Sequence, residues 1–172
     1  GHSAGANLVA GAVYQAKEKQ TDFKTNLMIL DYPYMDAFRQ SKDRARIRGA
    51  VSGKLMDTFA HYYTRDTSLT NPLISPVYMH PKQLEGMPKT FLLLCGRDNL
   101  NAGGKEYGKR LKAAGVPVTF HYVRDALHGF IENHYNYENI SRMTQLQLCK
   151  AQRQLAEYTV PNIVAWIEKN II

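Results

Sequence analysis

The sequence predicts an α/β fold built on a parallel sheet, and three observations predict it. Short apolar runs that read as strands occur at 26–30, 90–95 and 118–123. Stretches with helical spacing stand between and beside them, in the order helix, strand, long excursion, strand, helix, strand, helix. The 172 residues, 44% of them hydrophobic, suffice for one domain with a real core.

Each element has a local reason. Between 4 and 19, Leu8, Val9, Ala12, Val13 and Ala16 recur at helical spacing before the polar Lys17-Glu18-Lys19-Gln20, which predicts a helix with those residues on its apolar face. Asn26-Leu27-Met28-Ile29-Leu30 stops at Asp31-Tyr32-Pro33 and predicts a strand buried on both faces, as in parallel sheets. Residues 34–89 are too many for a bare loop. Leu55, Phe59 and Tyr62 predict an amphipathic helix inside that excursion, and Asn71-Pro72 and Ser75-Pro76 mark turns. A cap-like insert of this kind is expected above the strand ends, where substrates bind. The second strand is expected to end at Gly96, and the helix over 104–114, with Tyr107 and Leu111 on one face, at Gly115 and Pro117. The tail from 131 to 172 reads as mostly helical and broken near Pro161, with Ile163, Trp166 and Ile167 on one face and Trp166 as a packing anchor.

Composition narrows the function classes. The formal charge of +7 is moderately basic, with Lys and Arg densest between 39 and 54. That stretch is expected as a solvated helical face of the excursion, because no nucleic-acid motif accompanies it. No apolar run approaches the roughly 18 residues of a membrane helix. Cys95 and Cys149 are too few for a disulfide framework, and Cys95, closing Phe91-Leu92-Leu93-Leu94, is expected as a buried free thiol. The six His show no zinc-ligand spacing, so neither a metal nor a cofactor is expected. A cytoplasmic location is favoured.

Chemistry enters with Gly1-His2-Ser3-Ala4-Gly5, the Gly-Xaa-Ser-Xaa-Gly pattern of a nucleophile elbow. A serine in a sharp strand-to-helix turn has strained backbone geometry, and side chains at its glycine flanks are expected to collide with neighbouring elements. Ser3 Oγ would sit just ahead of a helix N-terminus, whose free N–H groups stabilise a developing oxyanion. An elbow needs a strand before it, so the chain is expected to be the C-terminal part of a longer enzyme. A serine nucleophile needs a base and an acid to orient that base. Asp98 follows the second strand and His128 follows the third, and in a parallel sheet those ends share one edge. The alternatives stay open: Asp125 and Asp31 rival Asp98, and Asp98 has a second reading as the cap of the following helix. His61, His80, His121 and His134 are read as non-catalytic. The Tyr and His of His61-Tyr62-Tyr63 and His134-Tyr135-Asn136-Tyr137 are read as core or rim residues, with an acyl or sugar pocket as the other reading.

Taken in order, GHSAGANL, NPLISPVY, FLLLCGRDNL, KRLKAAGVPVTFH and LHGF give the chain a family resemblance. It resembles the C-terminal half of an α/β-hydrolase esterase of the hormone-sensitive-lipase-like, acetyl-esterase type. The resemblance implies Ser3 as nucleophile, His128 as general base and acid, Asp98 as its orienting carboxylate and the Ala4 N–H as one oxyanion donor. It implies a small acyl ester as substrate and no cofactor. Two positions depart from the family pattern: Asn99 stands where Pro is common, and Ala6 where a second glycine is frequent. The His-Gly-Gly type loop that supplies further oxyanion donors is absent from the sequence. The expected function is therefore a serine carboxylic ester hydrolase acting through an acyl-enzyme, with an amide- or peptide-cleaving relative or an inactive half-domain as alternatives. A half-domain with an open strand edge at 26–30 would form a homo-oligomer or bind a missing N-terminal segment.

Overall fold

The computed structural model describes residues 1–48, 50–65, 67–135 and 150–171, and in them helices and parallel strands alternate. Helix α1 (Ser3–Glu18) leads to β1 (Leu27–Asp31). The excursion that follows holds α2 (Gly53–Thr64) and the short α3 (Pro81–Leu84). Then come β2 (Lys89–Arg97), α4 (Asn101–Ala113), β3 (Val118–Leu127), α5 (Phe130–Tyr135) and α6 (Lys150–Asn170). The sheet order is β1-β2-β3 and both pairings are parallel. Residues ahead of α1 extend the sheet: the Gly1 N–H donates to the Ile29 carbonyl at 2.8 Å, and the Asp31 N–H to the Gly1 carbonyl at 2.9 Å. His2 bridges Asp31 in the parallel sense, so Ser3 leaves the outer edge of β1 directly into its helix.

Strand alternation divides the core in two. Met28, Leu30, Leu92 and Leu94 face α1 and α4, where Ala6, Ala10, Tyr107 and Leu111 are buried against them. Phe91, Leu93, Cys95 and Val123 face the other way, toward Phe130, Ile131 and Ala156. Trp166 anchors α6 on that side, its ring centroid 5.3 Å from that of Phe91 and its Nε1–H donating to Thr119 Oγ1 at 3.0 Å. Cys95 is fully buried with a free thiol, as expected. Leu27 and Ile29 are only half-buried, so β1 is less enclosed than its apolar run predicts.

Several boundaries and faces differ from the sequence-based expectation. The buried face of α1 is Ala6, Asn7, Ala10, Gly11 and Val13, while Leu8 is 57% exposed. Small residues let the helix lie close on the sheet, and this outweighs the larger side chain's hydrophobicity. In α2, too, the expected apolar face is not the buried one: Met56, Ala60 and Thr64 are buried rather than Phe59 and Tyr62. The basic stretch is not a helical face: beyond a 3-10 turn at Ser41–Asp43, the described residues among 44–48 and 50–52 form no helix or strand before α2 begins at Gly53, and Arg44 is buried. Pro161 does not break the tail helix, since α6 runs through it. It lies on an exposed face, where water can satisfy the carbonyl freed by the missing N–H, and the Asn162 amide donates to the Tyr158 carbonyl at 2.6 Å.

Gly96 does not end β2, which continues to Arg97. A Cβ at Gly96 would lie 2.1 Å from the Arg124 carbonyl oxygen, so the glycine admits a close approach of β3 at a register shift. Gly96→Ala is expected to destabilise the fold by about 1–3 kcal/mol or more, because backbone must move to accept the methyl group. Urea unfolding of the parent and the variant measures this, and equal midpoints would show that the approach is not tight.

Candidate active site

Ser3 is the first residue of α1 and has φ +50°, the strained left-handed geometry its motif predicts. The two flanking glycines differ. A Cβ at Gly1 would lie 2.8 Å from the Gly5 carbonyl oxygen, whereas a Cβ at Gly5 would meet nothing within 4 Å among the described residues. The expected collision therefore exists on one side only. The Ser3 carbonyl accepts the Tyr34 N–H at 3.2 Å, tying the turn to the chain leaving β1. Ala4 is the second residue of the helix, where a backbone N–H has no intrahelical acceptor.

The register shift aligns the other two groups. Cys95 pairs with Val123, but Arg97 pairs with Leu127, so the offset grows from 28 to 30 and β3 gains two residues across the shift. Asp98 and His128, each the next residue, then stand abreast beyond the strand ends. Asp98 Oδ2 lies 2.7 Å from His128 Nδ1, and His128 Nε2 lies 2.9 Å from Ser3 Oγ. With Nδ1–H donating to the carboxylate, Nε2 is free of a proton and accepts the Ser3 hydroxyl. Asp98 and His128 are 3% and 7% exposed, so water competes little for these bonds. The second oxygen of Asp98, Oδ1, accepts the Leu100 N–H at 2.9 Å. Asp98 does not cap α4, whose N-cap is Leu100 without a side-chain cap; its Oδ1 closes the turn just ahead of the helix while its Oδ2 meets the imidazole.

The rival carboxylates stand elsewhere. Asp125 lies within β3 rather than in the His128 loop, exposed beside Arg124 at 3.4 Å. Asp31 is buried, with Oδ2 3.2 Å from His2 Nδ1. Around it is a polar cluster that the sequence reading missed. Tyr32 has φ +37° and its hydroxyl donates to the Glu132 carboxylate, with His2 Nδ1 3.0 Å from the same hydroxyl. The Tyr32 ring meets the His128 imidazole edge-on, centroids 5.2 Å apart. A titratable residue and an aromatic closing an otherwise apolar strand were the available signal. Burial raises the Asp31 pKa to about 6, with His2 pulling it partly back.

A cavity of about 530 Å³ opens beside Ser3 and Ala4, walled by Leu8, Phe59, Tyr62 and Tyr63. The apolar residues that left the core faces of α1 and α2 are thus pocket walls. Asn7 holds the floor, its Nδ2 donating to the Tyr34 and Ile74 carbonyls, each at 2.8 Å. Three other histidines have partners away from Ser3: His80 caps α3 in a capping box with Gln83, His121 stacks on Phe91, and His61 packs against Tyr62. The side chains of His134 and Tyr135, and residues Asn136, Tyr137 and Cys149, lie outside the described residues. No helix among the described residues is long and apolar enough to cross a membrane.

The family model described as alpha/beta hydrolase fold matches residues 1–132. The chain belongs to the alpha/beta hydrolase fold family. The chain is 29% identical over 133 residues to an arylesterase of Saccharolobus solfataricus, covering 76% of the chain and 43% of that relative. It superposes on carboxyl esterase 2 of Tuber melanosporum with a TM-score of 0.77 at 22% identity, covering 100% of the chain and 53% of that structure. A hormone-sensitive-lipase homologue from a metagenome library gives a TM-score of 0.76 at 20% identity, covering 100% and 53%. The chain spans about half the length of these relatives.

Asp31 gives the fold a pH signature. Its folded pKa exceeds the unfolded value of 3.8, so the folded state holds the extra proton and stability falls as pH rises from about 4 to about 6. Asp31→Asn is expected to match the parent below pH 4 and to be more stable at pH 7, by up to about 3 kcal/mol. Urea midpoints across that range check it, and a parent without the falling limb would contradict it.

Proposed function

We propose that the protein is a serine carboxylic ester hydrolase acting on short acyl esters through an acyl-enzyme. The observation that carries this reading is the hydrogen-bonded chain from Asp98 through His128 to Ser3, at 2.7 and 2.9 Å. Ser3 Oγ attacks the ester carbonyl as His128 Nε2 takes its proton, and Asp98 stabilises the imidazolium that forms. The oxyanion develops at the start of α1, where the Ala4 N–H is one donor and the positive helix end favours charge. His128 then returns the proton to the departing alcohol. Water, deprotonated by the same imidazole, attacks the acyl-Ser3 carbonyl and releases the acid. None of these steps requires a cofactor.

Substrate preference follows from the cavity beside Ser3. Its walls are apolar and aromatic, so it suits an uncharged acyl or alcohol group, and Tyr62 and Tyr63 belong to it rather than to the core. The arylesterase among the similar proteins supports ester chemistry. Association belongs to the same proposal. Among the described residues, the outer edge of β1 is bonded only by Gly1 and His2, which leaves room there for further chain or a second copy.

Hydrolysis of a p-nitrophenyl ester tests the reading. Ser3→Ala and His128→Ala should each abolish turnover, and the double variant should be no worse than either, since both groups act in one proton transfer. Asp98→Asn should lower kcat by about 10⁴, while Asp125→Asn stays near the parent. Substantial turnover in Ser3→Ala, or a larger loss at Asp125 than at Asp98, would remove the assignment.

A further inference from the structure

The basic stretch that the proposed chemistry does not use lines a second cavity. It measures about 610 Å³ and lies between residues within 41–48 and 50–54 and Asn99, the neighbour of Asp98. From 39 to 54 the sequence has six Lys or Arg (Arg39, Lys42, Arg44, Arg46, Arg48, Lys54) against the single carboxylate Asp43. Arg39 is paired with Asp36, and Asp57 accepts the Ser41 N–H at 2.9 Å. None of the cavity's cations (Lys42, Arg44, Arg46, Arg48, Lys54) has an ion-pair partner among the described residues.

Two further observations make this more than a solvated charge run. Arg44 is 7% exposed, its Nη2 donates to the Asp36 carbonyl at 2.8 Å, and its guanidinium lies 5.5 Å from the centre of the Tyr34 ring. Its Nε is nevertheless buried without a partner, a costly state for a charged donor. The second is α2, which opens on this cavity through Ser52, Gly53 and Lys54. Its N-terminus has no side-chain cap and no acid in the first turn. Uncapped N–H groups and the positive helix end favour an anion there. Across the cavity, Asn99 Nδ2 donates to the Val51 carbonyl at 2.6 Å, and its Oδ1 is left as a buried acceptor with no partner.

We propose that this cavity binds an anionic phosphate or carboxylate group, held by Arg44, Arg46, Arg48, Lys54 and the first turn of α2. Asn99 Oδ1 accepts a hydroxyl of the same ligand, which monohydrogen phosphate itself provides. Two connections link the site to the reaction. Asn99 adjoins Asp98, and α2 walls both cavities, with Lys54 in one and Met56 in the other. The anion is therefore either part of an ester substrate that spans both cavities or a separate small ligand beside the triad. The first source rests on the ester hydrolase reading, and the binding site itself does not.

Titration with inorganic phosphate, at ionic strength held constant with sodium chloride and followed by ³¹P NMR, tests the site without any turnover. Saturable binding is expected, weakened at least tenfold in the variant Arg46→Gln/Arg48→Gln/Lys54→Gln, whose exposed positions leave the core untouched. Arg44→Gln should weaken it as well, and if that variant fails to fold, the triple variant still decides. Comparing p-nitrophenyl hexanoate with the mono-p-nitrophenyl ester of adipic acid separates the sources. If the anion belongs to the substrate, phosphate competes with the adipate ester and the triple variant lowers its kcat/KM relative to the hexanoate by about tenfold. If the anion is a separate ligand, phosphate still titrates but that ratio stays constant. Absence of saturable phosphate binding, or a triple variant that titrates like the parent, overturns the proposal. Failure of both esters to turn over would count against the hydrolase reading alone.

Discussion

The approach of β3 to β2 at Gly96 is the constraint on which the candidate site depends. Two parallel strands in uniform register would set Asp98 opposite Ala126, with its carboxylate facing a methyl group. The two residues that β3 gains between Val123 and Leu127 move His128 into that place. They are accommodated because Gly96 has no side chain to meet the Arg124 carbonyl. One missing Cβ therefore sets the alignment of an acid and an imidazole that the sequence separates by 30 residues.

Around this alignment, three parts of the chain are fastened to the same sheet edge. Gly1 and His2 bond to β1 and deliver Ser3 in its strained turn. Tyr34 binds the Ser3 carbonyl, and Asn7 then holds Tyr34 and Ile74 together, so the excursion is secured to the helix that starts at the serine. Tyr32 sits between His2, Glu132 and the His128 ring, joining the elbow to the imidazole loop from below. Most of these bonds involve backbone carbonyls or the buried side chains of Asn7 and Tyr32, which hold position more firmly than exposed ion pairs do.

Much of the architecture was legible in the sequence because it rests on patterns with one physical meaning. Apolar runs ended by Asp-Tyr-Pro or Gly, with helical spacing between them, define parallel strands, and Ser3, Asp98 and His128 follow from strand ends sharing an edge. What stayed hidden depends on partners distant in the chain. Leu8, Phe59 and Tyr62 look like core residues until other residues of the same helices are seen taking the buried face and leaving them to wall a cavity. Gly96 carries no local sign that distinguishes a bulge from a strand end. Arg44 reads as one more solvated cation in a basic run, and only the packed excursion shows it enclosed.

The double engagement of Asp98 has a consequence for how the carboxylate meets a change of charge. Oδ1 is held by the Leu100 N–H and Oδ2 by the imidazole, so the side chain has a single orientation before any proton moves. In the proposed reaction it would have no rotamer freedom left to lose when the ring becomes cationic, and no reorientation to complete. A longer acid at this position would lose that advantage even with its charge intact. Glutamate adds a torsion, and its carboxylate could not meet both partners from the same backbone. If Asp98 is the acid of the proposed triad, the geometry of the loop, more than the chemistry of the group, decides which acid can serve there.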